Sequence, residues 1–509
     1  MTEIRLLNSY DADYLRDESQ MTGSAQTISF PETCGAVAEV VQRMAAAAIP
    51  VTIQGSRTGI CGGAVPLSGH VMNLSKLNRC LSLRRIKSDY WLTVQAGVRI
   101  GDLKRQLERK QFDCVEWDEA SQNALRELQA EDTLFWPPEP TEATATVGAV
   151  LATNARGICT HLYGDARWHV TQLRVIDGTG QELIVAKGVS LDRKNWSVST
   201  EVPFLISPQH WGLPATAELL DLYLGSEGIY GIIVETTLCL RTKPREVWGL
   251  AFFFLNQDGL CRFAGRLVPA MCREGSAAVA AVEYIDRATL AQIMKLRTVS
   301  TKLQALPAVD ERYSGMLYLE IHGSSEPDLE EIAGRLYELS AECGGDDEFS
   351  WALIGEGETE KIREFRHAAQ ESLNLALAQC RKREPRLLKL AADIAWPDHD
   401  LAEILAIYQQ DAKENGLEIA IFGHVPDNRL HVNLLPRSYE EYCTGQRLVE
   451  QWSTRAIRAN GFIFSEYGVG KIKKDLFVKM TEPVVLREMK KLKRVVDPKN
   501  VLNFGNRFG

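Results

Sequence analysis

The stretch that most restricts what this chain can fold into runs from Pro50 to Leu74, P-V-T-I-Q-G-S-R-T-G-I-C-G-G-A-V-P-L-S-G-H-V-M-N-L. Val51 to Ile53 reads as a short buried strand. It empties into a glycine-rich loop, Gly55, Ser56, Arg57, Thr58, Gly59, Ile60, Cys61, Gly62 and Gly63, and a second apolar segment follows from Val71 to Leu74. Glycine lets the backbone come close to a ligand, so successive N–H groups can converge on a phosphate oxygen. Ser56 and Thr58 add hydroxyl donors and Arg57 adds charge. The plainer alternative is a glycine-rich turn between two strands. The spacing is neither G-x-G-x-x-G nor G-x-x-x-x-G-K-[ST], so the nucleotide folds that go with those patterns are not indicated.

A chain of 509 residues is too long for one ordinary core, so two or more domains are expected. No run of about 18 apolar residues occurs, so no transmembrane helix is expected. The first residues lack a charged start followed by an apolar block, so no secretory signal is expected either. A formal charge of −9 argues against a nucleic-acid partner. Eleven cysteines are scattered without a C-x-x-C pair. That spacing does not suit an iron–sulfur cluster and points to reduced thiols. The expected location is cytoplasmic, or peripheral at the inner face of the membrane.

Residues 1–27 read as a polar lead-in. Pro31 to Ala48 reads as a helix with an apolar stripe at Val37, Val40, Val41 and Met44. Trp91 to Ala96 reads as a strand, Gly97 to Lys110 as an amphipathic helix, and the acidic stretch from Asp113 to Asp132 as a solvated helical element. Trp168 to Ile184 reads as two strands turning at Asp177-Gly178. Leu191 to Leu219 has no clear period and reads as an irregular insertion. After Pro244, strands and helices alternate in the order of an α+β domain with a mostly antiparallel sheet. The strand-like Leu387 to Ala395 lies between two helical patterns, Glu358 to Cys380 and His399 to Asn415.

Three further stretches accompany the glycine-rich loop. Residues 134–164 read L-F-W-P-P-E-P-T-E-A-T-A-T-V-G-A-V-L-A-T-N-A-R-G-I-C-T-H-L-Y-G, and residues 221–233 read D-L-Y-L-G-S-E-G-I-Y-G-I-I. Residues 421–434 and 463–470 read I-F-G-H-V-P-D-N-R-L-H-V-N-L and I-F-S-E-Y-G-V-G. In this order the four stretches resemble the FAD-linked oxidases and dehydrogenases of the vanillyl-alcohol-oxidase type. The nearest branch is that of the D-lactate, glycolate and D-2-hydroxyglutarate dehydrogenases, and the resemblance covers roughly residues 28–508. It implies an α+β protein: a PCMH-type FAD-binding domain of two α+β subdomains over 28–244, then an α+β cap domain over 245–509. The cap would have an antiparallel sheet and a C-terminal segment returning to the flavin.

The resemblance assigns FAD contacts to Gln54, Gly55, Ser56, Arg57, Thr58, Gly59, Gly62 and Gly63. In the second stretch it assigns them to Pro138, Thr146, Val147, Gly148, Thr153 and Gly157, and later to Glu227, Gly231, Ile232 and Asn503. Family members have glycine at the positions of Ala149 and Arg156, so the pocket here is narrower or carries a cation near the flavin, unless Arg156 is an ordinary surface residue. Covalent members carry histidine in the first loop. This loop has none, so FAD is expected to be dissociable.

His424 and His431 flank Pro426, Asp427 and Asn428, a strong turn signal between apolar runs. A hairpin there would bring both imidazoles to one side. With Glu466 they would leave open positions on a divalent ion. The plainer alternative is two histidines hydrogen-bonded at a turn and a surface glutamate. The resemblance implies zinc, manganese or iron beside the flavin, lowering the substrate hydroxyl pKa as a Lewis acid, with Asn433 supporting the ligands. Arg366 matches an arginine that grips the substrate carboxylate, unless it is a helix-surface residue, and Lys389 is a weaker candidate for the same pocket. Metal-bearing relatives have histidine after the glutamate, as general base. Here Tyr467 stands there, with an ordinary pKa near 10 that a metal or Lys471 or Lys473 would have to lower.

The implied reaction is oxidation of a small (D)-2-hydroxy acid such as D-lactate or glycolate to the 2-oxo acid. Hydride would pass to FAD and electrons onward to a quinone, an electron-transfer flavoprotein or an iron–sulfur partner subunit. The protein would act as a homodimer or within a hetero-complex. Two alternatives stay open: a non-redox FAD enzyme of the alkylglycerone-phosphate-synthase type, and a flavin-bearing electron-relay subunit.

Overall fold

The structure is a computed structural model, and it describes residues 2–140, 142–188, 218–270, 277–464 and 466–508, with the side chains of 268–270 left aside. The expected insertion at 191–219 therefore lies outside the described residues except for its last two. The chain divides into two compact units. One comprises Met1–Gly157, Gly164–Lys243 and Glu466–Gly509, and the other Ile158–Tyr163 and Pro244–Ser465.

The first unit holds two main sheets. A four-stranded sheet runs in the order Arg5–Leu6, Thr27–Ser29, His70–Asn73, Val51–Gln54. Its first pair is antiparallel and the rest are parallel. Residues 1–27 are thus not a bare lead-in: Arg5–Leu6 completes a sheet edge, and a 3-10 helix, Ser9–Leu15, follows it. A five-stranded antiparallel sheet runs Cys80–Ile86, Asp89–Gln95, Ile232–Cys239, Val170–Ile176, Glu182–Ala186. The helix Cys34–Ala46 is capped by Thr33, whose Oγ1 accepts from Ala36 N at 3.1 Å. Its buried stripe of Val37, Val40, Val41 and Met44 packs into one core with Val51, Met72 and Ile232.

The acidic region after Asp113 also differs from expectation. The helix Glu119–Ala130 buries Ala124, Leu125 and Leu128 and packs on the strand Cys80–Ile86, so only its outer face is solvated. Its charges alone hid a one-sided apolar stripe at i, i+1 and i+4.

The chain end belongs to this unit rather than to the expected 245–509 cap. Residues 501–503 lie alongside Val51, whose N–H donates to Val501 O at 2.7 Å, while Asn503 N donates to Val51 O at 2.8 Å. The helix Pro483–Val496 leads into this return. There the Lys493 ammonium donates to Asp497 Oδ2 at 2.6 Å, Ile229 O at 2.7 Å and Leu502 O at 2.9 Å. Asp497 in turn accepts from Val501 N and Leu502 N.

The second unit is an eight-stranded antiparallel sheet. Its order is Trp351–Ile354, Glu246–Phe254, Gly315–Gly323, Ala278–Asp286, Ile419–His424, Arg429–Leu434, Ala391–Ala395, Phe462–Ile463. Gly315–Gly323 and Ala278–Asp286 are buried at every residue, so both faces of the sheet centre are covered. The helices Arg287–Arg297 and Glu356–Arg381 pack together and share a core with Phe253, Ile285, Met316 and Phe422. Leu387 to Ala395 is strand only from Ala391.

Replacing Lys493 by alanine strands the Asp497 carboxylate beside two carbonyls. The expected loss is about 3–5 kcal/mol, the usual cost of removing one partner of a buried ion pair. Urea unfolding of the purified protein measures it; a loss within about 1 kcal/mol, the range of an exposed pair, would show that this ion pair does not anchor the chain end.

Candidate functional site

The glycine-rich loop of the first unit is braced from below. Gln54 is buried, and its amide bridges the 3-10 helix Ser9–Leu15 and the end of the loop, donating to Tyr14 O at 2.8 Å and Ala64 O at 2.7 Å. Asn73 Nδ2 donates to Gly55 O at 3.0 Å. A Cβ on Gly55 would stand 2.4 Å from Thr146 Oγ1, so only glycine lets the loop meet the second expected stretch there. Thr146 caps the short helix Val147–Thr153. Arg57 has φ +63° and lays its guanidinium over the Tyr14 ring at 4.5 Å. Ser56, Arg57 and Thr58 are half-buried and Gly59 is exposed, which leaves this arc of the loop facing outward.

The other expected residues of this unit are mostly packing elements. Pro138, Val147 and Ile232 are buried, and Thr153 Oγ1 bonds back to Ala149 O at 2.9 Å. Gly148, Gly157 and Gly231 have no room for a side chain.

The returning chain end grips the same loop from the side. Lys471 Nζ donates to Gly62 O at 3.3 Å, Gly63 O at 3.2 Å and Asn506 Oδ1 at 2.6 Å, and burial pushes its pKa down to about 8. Glu227 turns inward. Its carboxylate accepts from Val469 N and Gly470 N, both at 2.7 Å, and from Arg507 Nε at 3.3 Å. Asn503 joins both ends of the system, accepting from Ile53 N at 2.8 Å and donating to Glu227 O at 2.6 Å. Tyr467 and Glu466 open this returning segment, and Lys473 Nζ lies 5.5 Å from the centre of the Tyr467 ring.

In the second unit, strand register lines up a polar row on one sheet face. Glu283 pairs with His424 and with Tyr318, Phe422 pairs with His431, and His431 pairs with Asp393. Paired residues share a face, as do residues two apart. His424 and His431 are therefore diagonal neighbours, with ring centroids 6.0 Å apart. The hairpin does bring the two imidazoles together.

Each imidazole has a carboxylate beside it. His424 Nδ1 pairs with Glu283 Oε1, and His431 Nδ1 lies 3.8 Å from Asp393 Oδ1. Arg366 is buried; its Nε donates to Glu283 Oε2 at 2.8 Å and its guanidinium covers the Phe422 ring at 5.4 Å. Burial pushes the Glu283 carboxyl up, but the charges of Arg366 and His424 outweigh it and hold the group below its ordinary value. Asn433 Nδ2 donates to His431 O at 3.2 Å. Lys389 Nζ donates to Asn374 Oδ1 at 3.0 Å, and burial pushes its pKa down to about 7.

Two buried imidazoles on one face, backed by carboxylates, are a donor arrangement that fits a divalent ion, because metal-bound histidines characteristically give their second nitrogen to a carboxylate. Sequence reasoning did not single out Glu283, Asp393 or Glu320. A signal was there: A-V-E-Y-I and L-Y-L-E-I-H each set one acid in an apolar strand, and a buried acid requires a partner.

A family model described as FAD binding domain matches residues 25–123 and 120–186, and one described as FAD linked oxidases, C-terminal domain, matches residues 261–506. The chain is 27% identical over 504 residues to the D-lactate dehydrogenase of Anaerostipes hadrus, covering 97% of this chain and 92% of that one. It is 24% identical over 513 residues to glycolate oxidase subunit GlcD of Bacillus subtilis, covering 99% and 92%. It is 25% identical over 514 residues to a D-2-hydroxyglutarate dehydrogenase of Xanthomonas citri pv. viticola, covering 100% and 93%. The solved structure of 4-ethylphenol oxidase from Gulosibacter chungangensis superposes with a TM-score of 0.68 at 14% identity, over 99% of this chain and 94% of that one. At that identity the likeness concerns the fold.

Lys389 supplies a pH test. Its pKa is about 7 in the folded chain and about 10.4 when unfolded. The unfolded state therefore binds more protons between these values, and stability rises with pH across that window. Lys389→Met is expected to raise the unfolding midpoint at neutral pH, the gain shrinking as pH approaches the unfolded value. Parallel thermal melts across this range check it; a gain that does not change with pH would contradict the buried, depressed lysine.

Proposed function

We propose, from the premise that this chain belongs to the FAD-linked oxidases and is an FAD-dependent oxidoreductase acting on hydroxy acids, that its substrate is a small (D)-2-hydroxy acid, which it converts to the 2-oxo acid. The observation that supports this most is the buried row of Glu283, His424 and His431 on one sheet face, with Arg366 of the helix Glu356–Arg381 paired to Glu283. A row of alternating charge is a costly thing to bury, and it suits a ligand with a carboxylate and an adjacent hydroxyl.

In this reading FAD supplies the hydride acceptor. The arc Ser56–Gly59 would hold its diphosphate through backbone N–H groups and hydroxyls, without a covalent link. By the sequence match, His424, His431 and Glu466 would hold a divalent ion, and such an ion would supply Lewis-acid pull on the substrate hydroxyl. Arg366, its plane set by Glu283, pairs with the substrate carboxylate through a fork that matches two oxygens. By the sequence match, Lys389 is a second cation for the substrate carboxylate, and Tyr467 stands where metal-bearing relatives have the general base. The electrons leave to a quinone, an electron-transfer flavoprotein or an iron–sulfur partner. Among the described residues no helix is long and apolar enough to cross a membrane.

Anaerobic addition of a panel of 2-hydroxy acids tests the reading. One enantiomer of a small acid is expected to bleach the flavin's visible band; no bleaching by any of them would overturn it. Prior chelation is expected to slow bleaching by about tenfold or more, the lower end of what disturbing a metal site costs, with recovery on adding zinc or manganese. Full-rate bleaching by a protein shown to be metal-free would remove the ion from the mechanism.

A further inference from the structure

A second polar cluster of the second unit lies beside the first and has no part in the scheme above. Glu320 pairs with Ala281, two residues from Glu283, so the two acids are diagonal neighbours on one face. Arg363 and Arg366 project from one face of the helix Glu356–Arg381, each to its own acid. Arg363 Nε donates to Glu320 Oε2 at 2.8 Å and its terminal nitrogen pairs with Oε1. His322 Nε2 lies 2.6 Å from Glu320 Oε1, and Tyr163 Oη lies 2.7 Å from His322 Nδ1. Tyr163 closes the segment Ile158–Tyr163, whose short helix packs on the strand Ala278–Asp286 that carries Glu283.

Cys159, Glu320 and His322 hold ligand atoms within 4.8 Å of one another, a spacing that suggests a metal. The guanidinium of Arg363 argues against one, because it already pairs with both oxygens of Glu320, and Tyr318 Oη donates to Oε2 at 2.5 Å. A divalent ion would have to displace a cation. What remains is a line of groups suited to moving a proton.

Its polarity follows from Glu320. Burial pushes this carboxyl up, but Arg363 and His322 hold it well below its ordinary value, so it is an acceptor only. His322 Nε2 must then carry the proton, and a neutral ring accepts at Nδ1 from the Tyr163 hydroxyl. This is the logic of a hydroxyl activated by an imidazole that a carboxylate orients.

We propose that Tyr163, with His322 and Glu320 behind it, takes the hydroxyl proton of the substrate, the task for which the E-Y-G sequence has no histidine; this rests on the proposed hydroxy-acid oxidation. The substrate hydroxyl passes its proton to Tyr163 Oη as the phenolic proton passes to His322 Nδ1. The C–H pair leaves as hydride to oxidised FAD, and the C=O bond forms. The imidazolium is left between the Tyr163 oxygen and Glu320. Tyr163 is the catalytic residue, while His322 and Glu320 are positioning residues. The groups against His322 are Glu320 on its own strand and Tyr163 on the short segment, while Tyr318, Arg363 and Cys159 meet Glu320.

The test is anaerobic flavin reduction against pH in variants shown to retain FAD. Tyr163→Phe is expected to slow reduction about 10²–10⁴-fold, the span of general base catalysis, with little change in substrate affinity. His322→Gly should slow reduction and regain rate with added imidazole, which a purely structural histidine would not. Tyr163→Phe at the wild-type rate, with the wild-type pH profile, would overturn the relay. Nitrogen-15 NMR of histidine-labelled holoprotein gives a second arm that needs no turnover. His322 is expected to show a bare Nδ1 whose signal moves in Tyr163→Phe, and a protonated Nδ1 on a neutral ring would overturn the relay by itself. If no hydroxy acid reduces the wild type, the proposed function fails, and this second arm still decides the pairing.

Discussion

The cost of putting carboxylates inside a sheet governs the second unit. Glu283 and Glu320 are both fully buried at the centre of eight strands, where an uncompensated charge would be untenable. Each is answered by an arginine from one helix face and by an imidazole from the sheet. The helix Glu356–Arg381 is thereby held by two ion pairs in register, and the imidazoles are held in fixed orientation. Apolar residues of the same size would serve stability as well or better. Keeping charge there makes sense for chemistry that needs oriented imidazoles and a guanidinium in a dry place.

In the first unit a comparable constraint falls on the backbone. A loop that offers its N–H groups outward has little of its own to hold it, so its shape must come from elsewhere. Asn73 ties its beginning at Gly55, Gln54 ties its end at Ala64, and Lys471 ties Gly62 and Gly63. Glu227 is the knot of this system. It occupies a left-handed backbone position, φ +55°, and spends its carboxylate on two amides and an arginine of the chain end. Glu227, an expected cofactor contact, shapes the segment that supports the glycine-rich loop.

The tyrosine after Glu466 is a departure from the E-H-G pattern of metal-bearing relatives, and it removes a nitrogen base from the place where the resemblance put one. The structure holds a different imidazole, His322, on the same sheet face as His424 and His431, already paired with a carboxylate and a phenol. In the proposed relay the proton acceptor comes from another element while the reaction class stays the same.

Much of this was written locally. The Pro50–Leu74 stretch announced a strand, an exposed glycine-rich arc and a second strand; Thr33 and its apolar stripe announced a helix; Pro426, Asp427 and Asn428 announced the hairpin that sets His424 beside His431. Turns, caps and periodicity act between near neighbours, so a short window suffices to read them. What the tertiary structure alone decided was partnership. Glu283 meets His424 across some 140 residues of chain, Arg363 meets Glu320, and the chain end pairs beside Val51, 450 positions away from Ile53 at Asn503. A period of two tells which face a side chain takes but not which strand lies next to it; that depends on how all eight strands close over one core, and no single stretch carries it.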